Sequence, residues 1–167
     1  MPLATPPGLL VRRARPSDVA AVLLLMQRAT GGALQMKRAD LLLALSERSY
    51  LIAQVDTEIN MVVGWSTHST TAVAIDQVYA HPFEAAMTSG PAVLAEIEAS
   101  ARELICEVVF AYLPPDASPP VWQLFQQSGY EPMSSRDLRR AWAPVVSETR
   151  PAGAELWAKV LRDVRIR

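Results

Sequence analysis

The stretch Val78 to Leu94, VYAHPFEAAMTSGPAVL, contains residues suited to binding a charged group. It begins with the apolar alternation of a strand, breaks at His81-Pro82, and continues as a predicted helix from Gly90-Pro91-Ala92. A glycine before a helix lets a ligand approach the first-turn N–H groups, which lack partners inside the helix and carry the positive end of its dipole. This arrangement suits a phosphate group. Helix capping alone explains the same residues, since proline is favoured at the first helical position.

The other reactive side chains are too few or too scattered to form a site of their own. Cys106 is the single cysteine, which excludes an internal disulfide and a cysteine-rich metal site. We expect it to be a small buried apolar residue rather than a nucleophile. His68 and His81 lack the spacing of metal ligands. We therefore expect no metal site, and the sequence gives no support to a hydrolase triad.

Length and composition indicate one globular domain. The chain has 167 residues, half of them apolar, which is enough for one sizeable core. We expect residues 1–8 to be a disordered lead and residues 9–167 to form a single domain. A formal net charge of −1 gives no general attraction to nucleic acid. Since no stretch approaches the roughly 20 apolar residues of a membrane span, we expect a cytoplasmic protein without membrane contact.

Hydrophobic periodicity predicts strands and helices in alternation. The predicted strands are Leu9 to Arg15, Tyr50 to Val55, Met61 to Thr67, Thr71 to Ala80, Cys106 to Leu113, Tyr130 to Met133 and Glu155 to Arg162. The predicted helices are Pro16 to Ala29, Lys37 to Arg48, Pro91 to Leu104, Val121 to Ser128 and Arg136 to Val146. Glycines, prolines and short polar segments separate these elements.

Three short motifs in this order resemble those of the GNAT acyltransferase superfamily. They are Val62-Val63-Gly64-Trp65 in the third strand, Val78-Tyr79-Ala80-His81-Pro82 at the end of the fourth strand, and Leu124 to Pro132, LFQQSGYEP, at the end of the fourth helix. The sequence is identified as a divergent member of that family over residues 9 to 162. The resemblance implies an α/β fold, classed by some as α+β. Its central mixed, mostly antiparallel sheet splays between the fourth and fifth strands and is flanked by helices.

In this family the splayed cleft holds coenzyme A, so the resemblance implies acetyl-CoA as the acyl donor. The pyrophosphate loop corresponds to Met87-Thr88-Ser89-Gly90-Pro91-Ala92. Met87 replaces the usual arginine or glutamine there, and Pro91 has no backbone N–H to donate. The pantetheine arm is expected to pair like an added strand with Val78, Tyr79 and Ala80. The family's frequent asparagine before the next helix corresponds to Ser118.

Acyl transfer to an amine needs a base for the ammonium and an acid for the leaving thiolate. Asp76 has the strand parity of Val78 and Ala80, so we expect its carboxylate to face the same cleft and act as the base. The family's usual acid is a tyrosine, and Phe125 stands at that position beside the cofactor. Tyr112, or else Tyr79, is the candidate replacement acid.

The resemblance predicts an acyl-CoA-dependent N-acyltransferase that acts on an amine of a small molecule or peptide. The alternative is a non-catalytic module of the same fold that binds acyl-CoA or a protein partner. The acceptor cannot be read from the connection ATGGALQMK, residues 29–37, which carries no charged cluster. The predicted helix Arg136 to Val146, kinked or shortened by Pro144, is expected beside the acceptor mouth or at a contact between two copies in a homodimer.

Overall fold

The computed structural model describes residues 5–68 and 71–162. The strands in this part of the chain are β1 (Leu9–Arg13), β2 (Ser49–Val55), β3 (Glu58–His68), β4 (Ala72–Ala80), β5 (Val108–Leu113), β6 (Glu131–Pro132) and β7 (Glu155–Val160). They form one sheet in the order β1-β2-β3-β4-β5-β7-β6. Neighbours are antiparallel, except that β4 and β5 are parallel. The predicted mixed, mostly antiparallel sheet is confirmed.

The described helices are α1 (Val19–Ala29), α2 (Arg38–Glu47), α3 (Ala85–Glu103), α4 (Pro119–Gln127) and α5 (Ala143–Thr149). Helix α1 illustrates why they form: Val19, Val22, Leu25 and Met26 recur at helical spacing and are all buried. Within residues 5–68 and 71–162, no helix has both the length and the apolar character needed to cross a membrane.

Helices cover both faces of the sheet. On one face, α3 and α4 pack on the largest core, which includes Val63 and Ile75. On the opposite face, α1 and α2 cover the half of the sheet that contains Ile52 and Val62, and α5 covers the half that contains Phe110. We call these the α3 face and the α1–α2 face. In the second half of β4, some side chains pack on the α3 face and others pack on the α1–α2 face.

Strand β4 carries a bulge at Asp76. Gly64 of β3 pairs with Gln77, whereas the next residue, Trp65, pairs with Ile75, so Asp76 has no partner on β3. A bulge inserts one residue into the ladder, bends the strand and shifts the alternation of its side chains.

The sheet splits immediately after this bulge. Parallel pairing of β4 with β5 runs from Ala72 opposite Val108 to Ile75 opposite Ala111 and then stops. Asp76 and Tyr112 are therefore the first residues beyond the last pair. The predicted splay between the fourth and fifth strands is confirmed, and it starts at the two residues predicted to be catalytic.

The prediction that a helix begins at Gly90-Pro91 is wrong, because α3 already begins at Ala85. Gly90 lies inside α3 at the contact with α4. A Cβ at position 90 would lie 2.5 Å from Leu124 Cδ2. The glycine permits close approach of two helices. Pro91 lies inside α3 with its ring exposed and, because it has no N–H, removes one backbone hydrogen bond of the helix.

The predicted helix Arg136 to Val146 is also misplaced. A short 3₁₀ turn at Ser135–Asp137 is followed by an irregular segment and then by α5, in which Pro144 occupies the first turn and neither kinks nor shortens the helix. The lead, residues 1–8, is only partly described: residues 1–4 lie outside the described part, and Pro7-Gly8 forms a turn into β1. Ser69 and Thr70, in the turn predicted between β3 and β4, also lie outside it.

Candidate active site

A cleft with a volume of about 300 Å³ opens where β4 and β5 separate. Its walls come from the end of α1 and the loop that follows, the second half of β4, the end of β5 and the start of α4. Of the residues predicted for the site, it contains Asp76, Val78, Tyr79, Ala80, Tyr112 and Ser118. Met87 to Ala92 and Phe125 do not line it. The volume is sufficient for a small molecule or the extended arm of a larger one.

Asp76 enters the cleft from the α1–α2 side because of the bulge. Ile75 and Val78 both pack toward α3, so the alternation of side chains is broken between them. The guanidinium of Arg48 donates a hydrogen bond to Asp76 Oδ1 and lies over the ring of Tyr50, which belongs to the α1–α2 core. The prediction that Asp76 shares the side of Val78 is therefore wrong, although Asp76 does line the cleft.

Tyr112 lies opposite Asp76 with its hydroxyl already hydrogen-bonded. The distance from its oxygen to Thr149 Oγ1 in α5 is 2.6 Å, and Thr149 Oγ1 is 2.7 Å from the carbonyl of Val145. Because the threonine hydroxyl donates to that carbonyl, it accepts the hydrogen bond from Tyr112. Burial raises the pKa of the Tyr112 phenol, and the Asp76 carboxylate adds to the rise. Tyr112 is therefore protonated at neutral pH, with its proton directed at α5.

The α4 side of the cleft offers an unsatisfied hydroxyl. Ser118 Oγ is buried and has no hydrogen-bond partner among the described residues. The next two residues, Pro119 and Pro120, have no backbone N–H, so the start of α4 supplies few backbone donors. Across the cleft from Ser118, Val78 and Ala80 belong to a stretch of β4 that, on its side toward β5, pairs with no strand in the described residues. An extended ligand could pair with this edge and reach Ser118.

The corner between β4 and α3 differs from the predicted pyrophosphate loop. Met87, Thr88, Ser89, Gly90, Pro91 and Ala92 are all helical, so the prediction that they form a loop is wrong. The N–H groups of Ala85, Ala86 and Met87 each donate to the carbonyl three residues earlier, at 2.9, 3.1 and 3.0 Å. Ser89 and Gly90 are buried, and the exposed Glu84 places a carboxylate at this positive end of the helix.

Phe125 is a core residue. Phe125 is 0% exposed, and its ring and that of Tyr130 pack in a T-shaped arrangement with 5.0 Å between centroids. This burial does not support the predicted contact between Phe125 and a cofactor, which stays a prediction. Cys106 is also buried, and burial raises the pKa of its thiol, which agrees with an unreactive cysteine. Within the described ranges, no group of three histidine, cysteine, aspartate or glutamate side chains is placed to hold a metal.

Sequence reasoning missed Arg48 and Thr149, the two residues that hold the candidate base and acid. Arg48 follows α2 directly, where an arginine is ordinarily solvated, and nothing in its neighbourhood marks a partner 28 positions away. Thr149 ends a helix whose position was not predicted. Both contacts depend on tertiary packing, and no local pattern could have revealed them.

Comparison with known proteins identifies the architecture. No protein-family model and no curated relative matches the sequence. A PaiA N-acetyltransferase from Thermoplasma acidophilum, in complex with coenzyme A, superposes with a TM-score of 0.68 at 10% identity, covering 91% of this chain and 98% of that one. YncA from Salmonella typhimurium, a putative acetyltransferase with acetyl-CoA, gives 0.68 at 13% identity, covering 95% and 97%.

A GNAT-family acetyltransferase from Staphylococcus aureus Mu50 gives a TM-score of 0.70 at 10% identity, covering 92% of this chain and 99% of that one. These likenesses span nearly the whole of each chain. The seven-stranded sheet with its parallel β4–β5 pair agrees with them. The chain therefore has the fold of the GNAT acetyltransferases.

Proposed function

We propose that this protein is an acyl-CoA-dependent N-acyltransferase, with acetyl-CoA as donor and an amine of a small molecule or peptide as acceptor. The observation that carries the proposal is the cleft at the β4–β5 split, with a carboxylate at the point where the strands part. Structures of the same fold were solved with coenzyme A or acetyl-CoA.

The cleft fits the arm of such a donor better than its nucleotide end. The free edge of β4 offers backbone groups at Val78 to Ala80, and the unpartnered Ser118 hydroxyl offers one side-chain hydrogen bond. At the start of α3, by contrast, the first N–H groups are already paired and Glu84 opposes a phosphate. In this proposal the donor is held mainly along β4, and its pyrophosphate is bound weakly.

Asp76 acts as the base in the proposed reaction. Its carboxylate takes a proton from the acceptor ammonium, and the free amine nitrogen then forms a bond to the thioester carbonyl carbon. The nitrogen, now positively charged, loses its second proton to water. The carbon–sulfur bond breaks as the thiolate leaves, and the thiolate takes a proton from water or from Tyr112, which water then reprotonates. One C–N bond replaces one C–S bond, and one proton is released. The hydrogen bond from Arg48 to Asp76 must weaken before the carboxylate can accept the proton of the ammonium.

A second candidate is a non-catalytic module that binds acyl-CoA without turning it over. Two contacts favour it: Arg48 occupies Asp76, and the Tyr112 proton is directed at Thr149. Both candidate groups are thus engaged before a substrate arrives.

Calorimetry with acetyl-CoA and a thiol-release assay over a panel of amines separate the two candidates. Turnover by the wild type supports the enzyme, binding without turnover supports the module, and no binding contradicts both. Ala117→Trp, which places an indole in the cleft, should weaken acetyl-CoA binding by at least 10-fold, whereas Ala99→Trp on the exposed side of α3 should not. Asp76→Asn should keep binding and slow turnover by about 10²–10⁴-fold.

A further inference from the structure

Asp76, which lines the cleft, forms an ion pair with Arg48, which is not one of the lining residues. Arg48, between α2 and β2, donates to Asp76, and the two side chains are 22% and 23% exposed. Both side chains of the pair are therefore partly buried. Among the described residues, Asp76 is the one side chain that hydrogen-bonds the Arg48 guanidinium, so its remaining N–H groups are available to another acceptor.

The pair lies on the side of the cleft opposite the edge proposed to hold the donor. Val78 and Ala80 pack toward α3, whereas Arg48 rests over Tyr50 on the α1–α2 face. Tyr50 is fixed there by a 2.9 Å hydrogen bond from its hydroxyl to Gln77 Oε1. The Asp76 carboxylate therefore faces the region left for the acceptor, and the partly exposed Arg48 is bound to it.

The adjoining wall is made of small side chains. Ala29, Thr30 and Ala33, from the end of α1 and the loop after it, line the same cleft. The Thr30 hydroxyl donates to the Met26 carbonyl at 2.8 Å, so it offers no free donor to a ligand. This wall leaves room beside the ion pair and adds no charge of its own.

We propose that the acceptor is a free α-amino acid, whose ammonium binds Asp76 and whose carboxylate binds Arg48. The inference rests on the proposed function and narrows its acceptor. A simple amine that bound Asp76 would leave the positive charge of Arg48 unpaired. A simple carboxylate that bound Arg48 would leave the negative charge of Asp76 unpaired. A ligand with both charges on neighbouring atoms leaves every charge paired.

Two further features suit this exchange. The planar guanidinium matches a carboxylate through two parallel hydrogen bonds, and its position over Tyr50 orients that fork. Partly exposed ion pairs contribute little to stability, so separating Arg48 from Asp76 costs little when each gains a new partner. The same exchange moves Arg48 off the carboxylate that must accept the amine's proton.

Calorimetry tests the binding without relying on turnover. The probes are the standard L-amino acids, each compared with its methyl ester, which keeps the α-amine and lacks the carboxylate. We expect at least one amino acid to bind at least 10-fold more tightly than its ester. Arg48→Gln should remove this preference, Arg48→Lys should retain part of it, and Arg38→Gln, an exposed arginine of α2, should leave it unchanged. A thermal melt of each variant checks that it folds.

The inference is overturned if no amino acid binds, if the ester binds equally well, or if the preference survives in a folded Arg48→Gln. Thiol release separates it from the proposed function. Acylation of simple amines and esters without preference for the amino acid overturns the acceptor and leaves the acyltransferase standing. Binding of an amino acid that depends on Arg48, with no thiol release, supports the ligand and contradicts the acyltransferase.

Discussion

Replacing Gly90 with alanine tests whether this glycine serves helix packing or ligand binding. The added Cβ would lie 2.5 and 2.7 Å from the two terminal carbons of Leu124, a side chain that is 1% exposed. Forcing a carbon into a packed core costs roughly 1–3 kcal/mol. Alanine recovers about 0.5–1 kcal/mol of helix propensity in α3. The expected net loss of unfolding free energy is therefore about 1 kcal/mol, within a range of roughly 0 to 2.5 kcal/mol.

A double-mutant cycle with Leu124→Ala isolates the contact. Leu124→Ala alone should cost about 2–5 kcal/mol because it leaves a cavity. In that background the clash is absent, so Gly90→Ala should become stabilising by about 0.5–1 kcal/mol. The same substitution thus changes sign with its neighbour, which is the signature of a direct contact.

Urea unfolding followed by tryptophan fluorescence measures all four proteins, and calorimetry measures coenzyme A binding by each. Ala99→Gly, at an exposed position of α3, is the matched control and should lose only the propensity difference. The packing explanation fails if Gly90→Ala has the same effect with and without Leu124. It also fails if Gly90→Ala leaves stability intact and weakens coenzyme A binding.

Two further substitutions test the charge at the start of α3 and the core position of Phe125. Glu84→Gln removes a negative charge from the start of α3 and should tighten coenzyme A binding about two- to five-fold, as expected for a charge at a helix N-terminus. Glu96→Gln, at an exposed position of the same helix, is the control, and an equal effect of the two substitutions would contradict this prediction. Phe125→Tyr should lower stability by roughly 1–3 kcal/mol by burying an unpaired hydroxyl, with no gain in acylation rate. Phe83→Tyr, on a ring that is 46% exposed, is the control for stability and should leave the unfolding free energy unchanged. A faster, equally stable Phe125→Tyr would show that the ring at position 125 reaches the cleft.

Much of the fold was predictable because periodicity is a local property. The strands β2 to β5 and the helices α1 and α2 were identified within a few residues, the strands from short runs of apolar residues and α1 from its regular apolar face. The start of α3 was not. Gly90-Pro91 has the composition of a helix start, yet the glycine is needed because Leu124 of α4 packs against it. The sequence of α3 alone does not reveal that contact.

The candidate site was predicted in part for the same reason. Asp76 and Tyr112 were identified from strand position, and both line the cleft. The side from which Asp76 enters the cleft was not predicted, because an assumption of strict alternation does not allow for the extra residue of a bulge. The contacts with Arg48 and Thr149 join segments distant in sequence and depend on how α2 and α5 pack.

The self-paired first turn of α3 has a consequence for how an enzyme of the proposed kind would respond to supply. Binding of the remote, unreactive end of a substrate is what keeps an active site occupied at low substrate concentration. Where the N–H groups of Ala85 to Met87 are satisfied internally, that contribution is small and the donor leaves quickly. A donor bound in this way would have a higher KM than one whose pyrophosphate is held by free N–H groups. At donor concentrations below that KM, the acylation rate would rise in proportion to the donor concentration and would report the supply of thioester.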